Sequence, residues 1–110
     1  MTITQTLVGN GTNDTILFTA TNETVALQTF FANTTAAAVS LTVHLSATSN
    51  AVANTATSNQ IVTTYSIPAY DTWPAHLELG KIDLAPSNTI QAFASSSNAI
   101  TATIITRDLP

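Results

Sequence analysis

Two imidazoles, His44 and His76, and six carboxylates, Asp14, Glu23, Asp71, Glu78, Asp83 and Asp108, are the side chains available for acid–base or metal chemistry. Lys81 and Arg107 are the only cationic side chains, and Cys is absent. Nucleophilic catalysis needs a hydroxyl, a base within reach and a group that orients the base. With 22 Thr and 9 Ser, a hydroxyl near a His in the chain carries no information. No Gly-x-Ser-x-Gly turn occurs. His44 sits on the polar side of an alternating run, where a solvated or interfacial ring is expected. His76 follows Pro74-Ala75 beside a corner. Glu78 and Asp83 are close in the chain, but a glycosidase pair must flank a sugar in a cleft of donors and aromatics. Lys81, between them, reads as balancing two acids on an exposed turn. Neither His-x-x-x-His nor Asp-x-Asp-x-Asp-Gly is present. The expected catalytic, cofactor and metal-ligand sets are therefore empty, and the chain reads as a non-enzyme. Asn10, Asn13, Asn22 and Asn33 each begin an Asn-x-Ser/Thr pattern. In so Asn- and Thr-rich a chain these read as turn residues.

The composition narrows the partners. Charged residues make up 7% of the 110 positions, against about 25% in an average domain. Two cations cannot build a basic patch for a phosphate backbone, so nucleic acid is not an expected partner. No apolar run reaches the roughly 20 residues of a membrane-spanning helix, so no membrane partner is expected. The opening Met1-Thr2-Ile3-Thr4-Gln5-Thr6 has no basic stretch followed by an apolar core, and no secretory leader is expected. Thr, Ala, Ser and Asn dominate what remains. A surface of neutral hydroxyls and amides gives little charge repulsion against self-association, so much of it is expected to face other protein.

The elements that must position these residues follow a period of two. Val39-Ser40-Leu41-Thr42-Val43-His44-Leu45-Ser46 alternates without a break, which a helix would smear around its whole circumference. Leu41, Val43 and Leu45 are expected inside. Further strands are expected at Thr2 to Val8 (Ile3 and Leu7 on one face) and Thr15 to Ala20 (Ile16 and Phe18 inward). A third covers Thr24 to Ala32, with Val25, Leu27 and Phe31 on one face and Phe30 on the other. Gln60 to Ile67 alternates Ile61, Thr63, Tyr65 and Ile67. His76 to Leu84, Thr89 to Ser95 and Ala99 to Thr106 complete the set. β-branched residues suit such pleated surfaces. Turn chemistry punctuates the runs mostly every 8 to 12 residues, as in antiparallel sandwiches. The fold class is thus all-β: one antiparallel β-sandwich of seven to eight strands, jelly-roll or Ig-like, over residues 1–110. An extended N-terminal arm is expected at 1–6 and a long loop at 47–59.

Two segments stand out for binding. Ala47 to Asn59 is polar, small-residued and without Gly or Pro, and a loop so long is usually functional or mobile. It is expected as a surface excursion with free backbone groups that becomes ordered against a neighbour. The corner Pro68-Ala69-Tyr70-Asp71-Thr72-Trp73-Pro74 offers two aromatic rings, either as a contact point or as a cap on the sandwich. Phe18, Phe30, Phe31, Tyr65 and Phe93 are expected to share the core. Thr-x-Thr pairs at Thr2/Thr4/Thr6, Thr55/Thr57 and Thr101/Thr103 lack the fixed period of an ice-binding solenoid and read as polar strand faces. The partner-binding candidates are Thr2, Ile3, Thr4, Tyr70 and Trp73, with Ile3 expected to fill a neighbour's pocket as the arm adds a strand to an open sheet edge.

The order of these segments resembles a known group. Thr12-Asn13-Asp14-Thr15-Ile16-Leu17-Phe18-Thr19-Ala20, the strand ending Phe31-Ala32-Asn33 and the alternating run Val39 to Leu45 are followed by a break at Ile67-Pro68-Ala69-Tyr70. Leu79-Gly80-Lys81-Ile82-Asp83-Leu84, Thr89 to Ser95 and a β-branched last strand then complete a layout similar to the small Thr/Ala-rich β-sandwich structural proteins of tailed-bacteriophage virions. The resemblance implies a non-enzymatic particle component, a capsid decoration (cement) protein or a small tail, neck or fibre-associated protein. It implies other virion proteins as partners, the major capsid protein or tail components, and a homo-oligomer, with a trimer as the expected state. The implied location is the virion, after synthesis in the host bacterial cytoplasm. A carbohydrate- or receptor-binding sandwich module, using Tyr70 and Trp73, is the alternative.

Overall fold

The computed structural model describes residues 1–53, 55–56 and 59–110; Thr57 of the Thr55/Thr57 pair lies outside the described residues. Nine strands and one helical turn follow the order β1 (Thr2–Leu7), β2 (Thr15–Thr19), β3 (Thr24–Asn33), β4 (Val39–Ser46), β5 (Gln60–Ile67), β6 (Thr72–Pro74), α1 (His76–Leu79), β7 (Ile82–Leu84), β8 (Thr89–Ala94) and β9 (Ile100–Asp108). They form two antiparallel sheets. One has five strands in the order β1-β9-β3-β6, with β7 also paired to β3; the other has four in the order β2-β8-β4-β5. The chain is a β-sandwich whose core lies between the two sheets. Leu41, Val43, Ile67, Ile90, Ala92 and Ala94 from the four-stranded sheet meet Phe31, Ile100, Ala102 and Ile104 from the other. The expected burial of Leu41 and Val43 is observed, and Leu45 packs half-buried against the same cluster.

Strict alternation fails wherever a strand carries an irregularity, because one extra residue moves everything beyond it to the other face. In β2 the register shifts between Ile16 and Phe18. Ile16 therefore stands opposite Gln91 and Phe18 opposite Ile90, while Leu17 is buried in the core. In β3 the shift falls between Ala26 and Gln28, so Val25 and Phe31 are not on one face as expected. In β5 two shifts and a positive φ at Thr64 place Val62, Tyr65 and Ile67 with the core cluster and leave Ile61 exposed. Phe93 pairs with Thr42 on the outer side of the four-stranded sheet rather than joining the core.

His76 to Leu84 is not one strand. Pro74 ends β6, and the chain makes the single helical turn α1. Gly80, at φ 73°, closes that turn, its N–H donating to the His76 carbonyl at 2.9 Å. Only Ile82–Leu84 returns to β3 as a strand. Leu77 and Leu79, two residues apart, fit a helical turn as well as a short strand, so their spacing alone misleads. Among the described residues Lys81 makes no ion pair, so it does not bridge Glu78 and Asp83.

Candidate functional site

The outer faces of the two sheets differ. On the four-stranded sheet, His44 of β4 pairs in register with Gln91 of β8, and Ser46 with Thr89. These side chains would point to solvent in a bare sandwich. Instead His44, Gln91 and Thr89 have no exposed surface, because the described part of the 47–59 loop lies over them. The loop's backbone is held from below. Gln91 Oε1 accepts from the Val52 N–H at 2.8 Å, and Gln91 Nε2 donates to the Asn50 carbonyl at 2.9 Å and to Thr89 Oγ1 at 2.7 Å. Thr89 Oγ1 donates to the Thr48 carbonyl at 2.9 Å. The Asp14 N–H donates to the Val52 carbonyl at 2.8 Å, next to an isolated bridge between Asn13 and Ala53. The loop is thus ordered against its own sheet, and these backbone groups are engaged rather than free for a neighbour. Residues 54, 57 and 58 lie outside the described ones.

At the centre of this layer Asp14 Oδ2 faces His44 Nδ1 as a buried Asp–His pair. His44 Nε2 donates to the Ala56 carbonyl at 2.8 Å. A carbonyl only accepts, so Nε2 carries a hydrogen. The close approach on the other side of the ring then requires one proton between Nδ1 and the carboxylate. Burial raises the Asp14 carboxyl above its ordinary value, and the His44 ring, by its charge and its hydrogen bond, pulls in the opposite direction. Asp14 Oδ1 has no hydrogen-bond partner among the described residues. An Asp–His pair oriented in this way is the orienting half of a nucleophile–base system. Here the ring nitrogen that would act as base is closed by a backbone carbonyl, and the pair's job is to fasten the loop. The expectation of a solvated or interfacial His44 is corrected. The signal that identifies it is the combination of His44 and Gln91 at neighbouring cross-strand positions under a long neutral loop.

On the five-stranded sheet His76 of α1 packs against Phe30 of β3, and among the described residues no loop covers β1. Along β1 the inward side bears Thr4, Thr6 and then the buried Val8, while Ile3 and Leu7 point outward, 66% and 53% exposed. Ile3 and Leu7 do share a face, but it is the outer one. Ile3 is paired with Ile105, Gln5 with Thr103 and Leu7 with Thr101 of β9. Residues 1–6 are therefore not a free arm. Thr2 and Thr4 lie in an edge strand already bonded to β9 on one side. Removing Met1 to Gln5 would strip that strand from β9 and is expected to disturb the fold.

The proline corner separates its two rings. Tyr70 is 73% exposed, at a positive φ of 57°. Trp73 is 6% exposed and lies in the core, its ring stacked 3.9 Å from Tyr65 and 5.9 Å from Phe31. Trp73 is thus not a surface anchor, because β6 pairs it directly opposite Phe31. Phe30 points outward and meets His76 edge-on at 4.9 Å. Asn33, read as a turn residue, is instead a buried hub. Its Nδ2 donates to the carbonyls of Ala37, Ile67 and Pro68, and its Oδ1 accepts from the backbone and hydroxyl of Thr35. This fastens the β3–β4 turn to the corner. Among the described residues no group of three or more His, Asp and Glu is placed to share a metal ion. Comparison of the chain with family models, with curated proteins and with solved structures finds no match.

Proposed function

We propose that the protein is a non-enzymatic structural component of a tailed-phage particle, a capsid decoration protein that works as a homo-oligomer and stabilises the shell through protein–protein contacts. The observation that carries this reading is the open outer side of β1 at the edge of the five-stranded sheet. Its edge strand is uncharged, with Ile3 and Leu7 exposed beside a ladder of threonines, on a chain with only two cationic side chains. Such a surface is suited to burial against protein and poorly protected against it. The exposed Tyr70 adds an aromatic contact at the corner. The polar groups that resemble catalytic parts, Asp14 and His44, supply internal fastening, which favours a structural role.

The test is mass spectrometry of gradient-purified particles from cells producing the chain, washed over a salt series. The chain is expected in fixed proportion to the shell protein. It should stay bound from low to physiological ionic strength, because a contact without charged side chains is little screened. Particles that lack the chain, or lose it as salt is added, overturn the proposal.

A further inference from the structure

Among the described residues the sandwich has five open strand edges, β1, β2, β5, β6 and β7, and four of them are blunted. β2 carries a register shift at Leu17, and β5 carries two shifts with a positive φ at Thr64. β6 is three residues long and ends in Pro74; β7 is three residues long and carries Asp83. Bulges, shortness, proline and charge are the features that keep an edge from pairing with another chain. β1 has none of them. It pairs with β9 without a register shift, from Thr2–Thr106 to Leu7–Thr101, and contains neither Pro nor a charged residue.

Its free backbone groups can be assigned by alternation. The Val8 N–H donates to the Ile100 carbonyl and the Val8 carbonyl accepts from Asn98, so both Val8 groups face β9. Stepping back by two, Thr6, Thr4 and Thr2 also face β9, and the N–H and C=O groups of Ile3, Gln5 and Leu7 point to the open edge. The outward side chains belong to these same three residues. The sequence Ile3-Thr4-Gln5-Thr6-Leu7 is nearly symmetric about Gln5. An antiparallel copy with its two-fold axis at Gln5 sets Gln5 against Gln5, Ile3 against Leu7 and Thr4 against Thr6. All the free backbone groups then fall in hydrogen-bonded pairs, and the two exposed aliphatic side chains cover each other on the outer face. A one-residue slip would pair free groups with groups already bonded to β9.

We infer that β1 is a homodimer interface, pairing antiparallel with β1 of a second copy about a two-fold axis at Gln5 to join two five-stranded sheets into one continuous sheet. The inference deepens the proposed homo-oligomer and rests on that part of the reading, replacing the expected trimer by a two-fold pair; it does not depend on the particle.

The test uses the purified full chain. Light scattering of the wild type at rising concentration is expected to approach twice the 11.5 kDa chain mass. Gln5→Cys, in a chain with no other Cys, should be joined into a dimer by a short bis-maleimide, because residues facing each other in a hydrogen-bonded pair lie about 5.5 Å apart at Cα. Thr101→Cys, on the same face but one strand in from the edge, should not be joined. Two double variants fix the register. Ile3→Lys with Leu7→Lys sets like charges opposite one another and should weaken the dimer by roughly tenfold or more; Ile3→Lys with Leu7→Glu sets opposite charges together and should restore it. A wild type that stays monomeric at the highest soluble concentration overturns both this interface and the homo-oligomer reading. An oligomer that survives the Lys/Lys variant, or in which Gln5→Cys is not joined, leaves the homo-oligomer standing and overturns this interface.

Discussion

Both sheets show the same kind of outward-facing residue to the sequence reader, yet their surroundings are opposite. On the four-stranded sheet the outward row Ser46, His44 and Thr89, Gln91 lies beneath the 47–59 loop, and each of these side chains is bonded to it or to a neighbour. On the five-stranded sheet the outward row Ile3, Gln5, Leu7 and Thr101, Thr103, Ile105 has no covering segment among the described residues, and Ile3, Gln5 and Leu7 are exposed. The polar side is sealed and the partly apolar side is open. A buried polar group is tolerated when it is hydrogen-bonded, and the loop backbone supplies the partners. The lesson is that polarity along a strand does not tell solvent from a third layer of chain.

Substitutions can break that comparison, and the largest effect belongs to the core common to both sheets. Val43→Asp sets an unpaired carboxylate against Ala92 and Val62, a cost of several kcal/mol. The variant is expected not to fold, read as loss of the β-sheet far-UV signal and of dispersed amide resonances. A soluble, folded variant would show that the inner and outer faces have been exchanged.

His44→Ala comes next. It leaves the Asp14 carboxylate buried without its partner and the Ala56 carbonyl without its donor, with an expected loss of about 3–5 kcal/mol in denaturant unfolding. Amide exchange at Val52 should quicken at the same time, because the loop loses its central fastening. A loss under about 1 kcal/mol would mean that the loop is held by Gln91 and Thr89 alone.

The pH dependence sharpens the same point with a smaller effect. Burial raises the Asp14 carboxyl above the 3.8 it has in an unfolded chain, so over that window the native chain holds a proton that the unfolded chain has released. The contribution of Asp14 to stability is therefore greatest at low pH and falls as pH rises from about 3.8 through the raised native value. Asp14→Asn removes this titration, and its amide can donate to His44 Nδ1 while Nε2 keeps its bond to Ala56. The stability of wild type relative to Asp14→Asn should decline across the window when unfolding is followed at stepped pH. A difference that rises with pH would place the native carboxyl below its ordinary value.

The smallest effect is expected on the open face. Thr103→Ala removes a hydroxyl that accepts only a 3.3 Å bond from Gln5, and should change monomer stability by less than about 0.5 kcal/mol. A loss comparable to that of His44→Ala would show that this face, too, is covered.

Much of the architecture was legible because it depends on local patterning. The β4 alternation identified its buried aliphatics, and turn residues marked most strand ends. Legibility stopped at Leu17, Leu27 and Thr64, where an irregularity reverses the face, and at His76–Leu79, where four residues suit either a helical turn or a strand. Of the candidate site, Ile3 and Tyr70 are exposed as a contact role requires, whereas Trp73 is taken into the core by its pairing with Phe31. Alternation alone points His44 to solvent and the Asn-Thr-Thr run reads as a turn, yet His44 and Asn33 are both buried. The decisive contacts are long-range: His44 bonds Ala56 12 residues on, and Asn33 reaches Ile67 and Pro68 34 and 35 residues on.

What the sequence by itself determined is the all-β class, the single sandwich and the scarcity of charge, because side-chain periodicity and composition act within a few residues of one another. Tertiary structure alone decided which outer face is sealed. The Asp14–His44 pair joins the segment before β2 to the middle of β4, and Gln91 in β8 reaches the loop that follows β4. Such contacts exist only once the two sheets have brought distant segments together, and the low-dielectric space beneath the loop, which strengthens the Asp14–His44 contact, is created by that same closure.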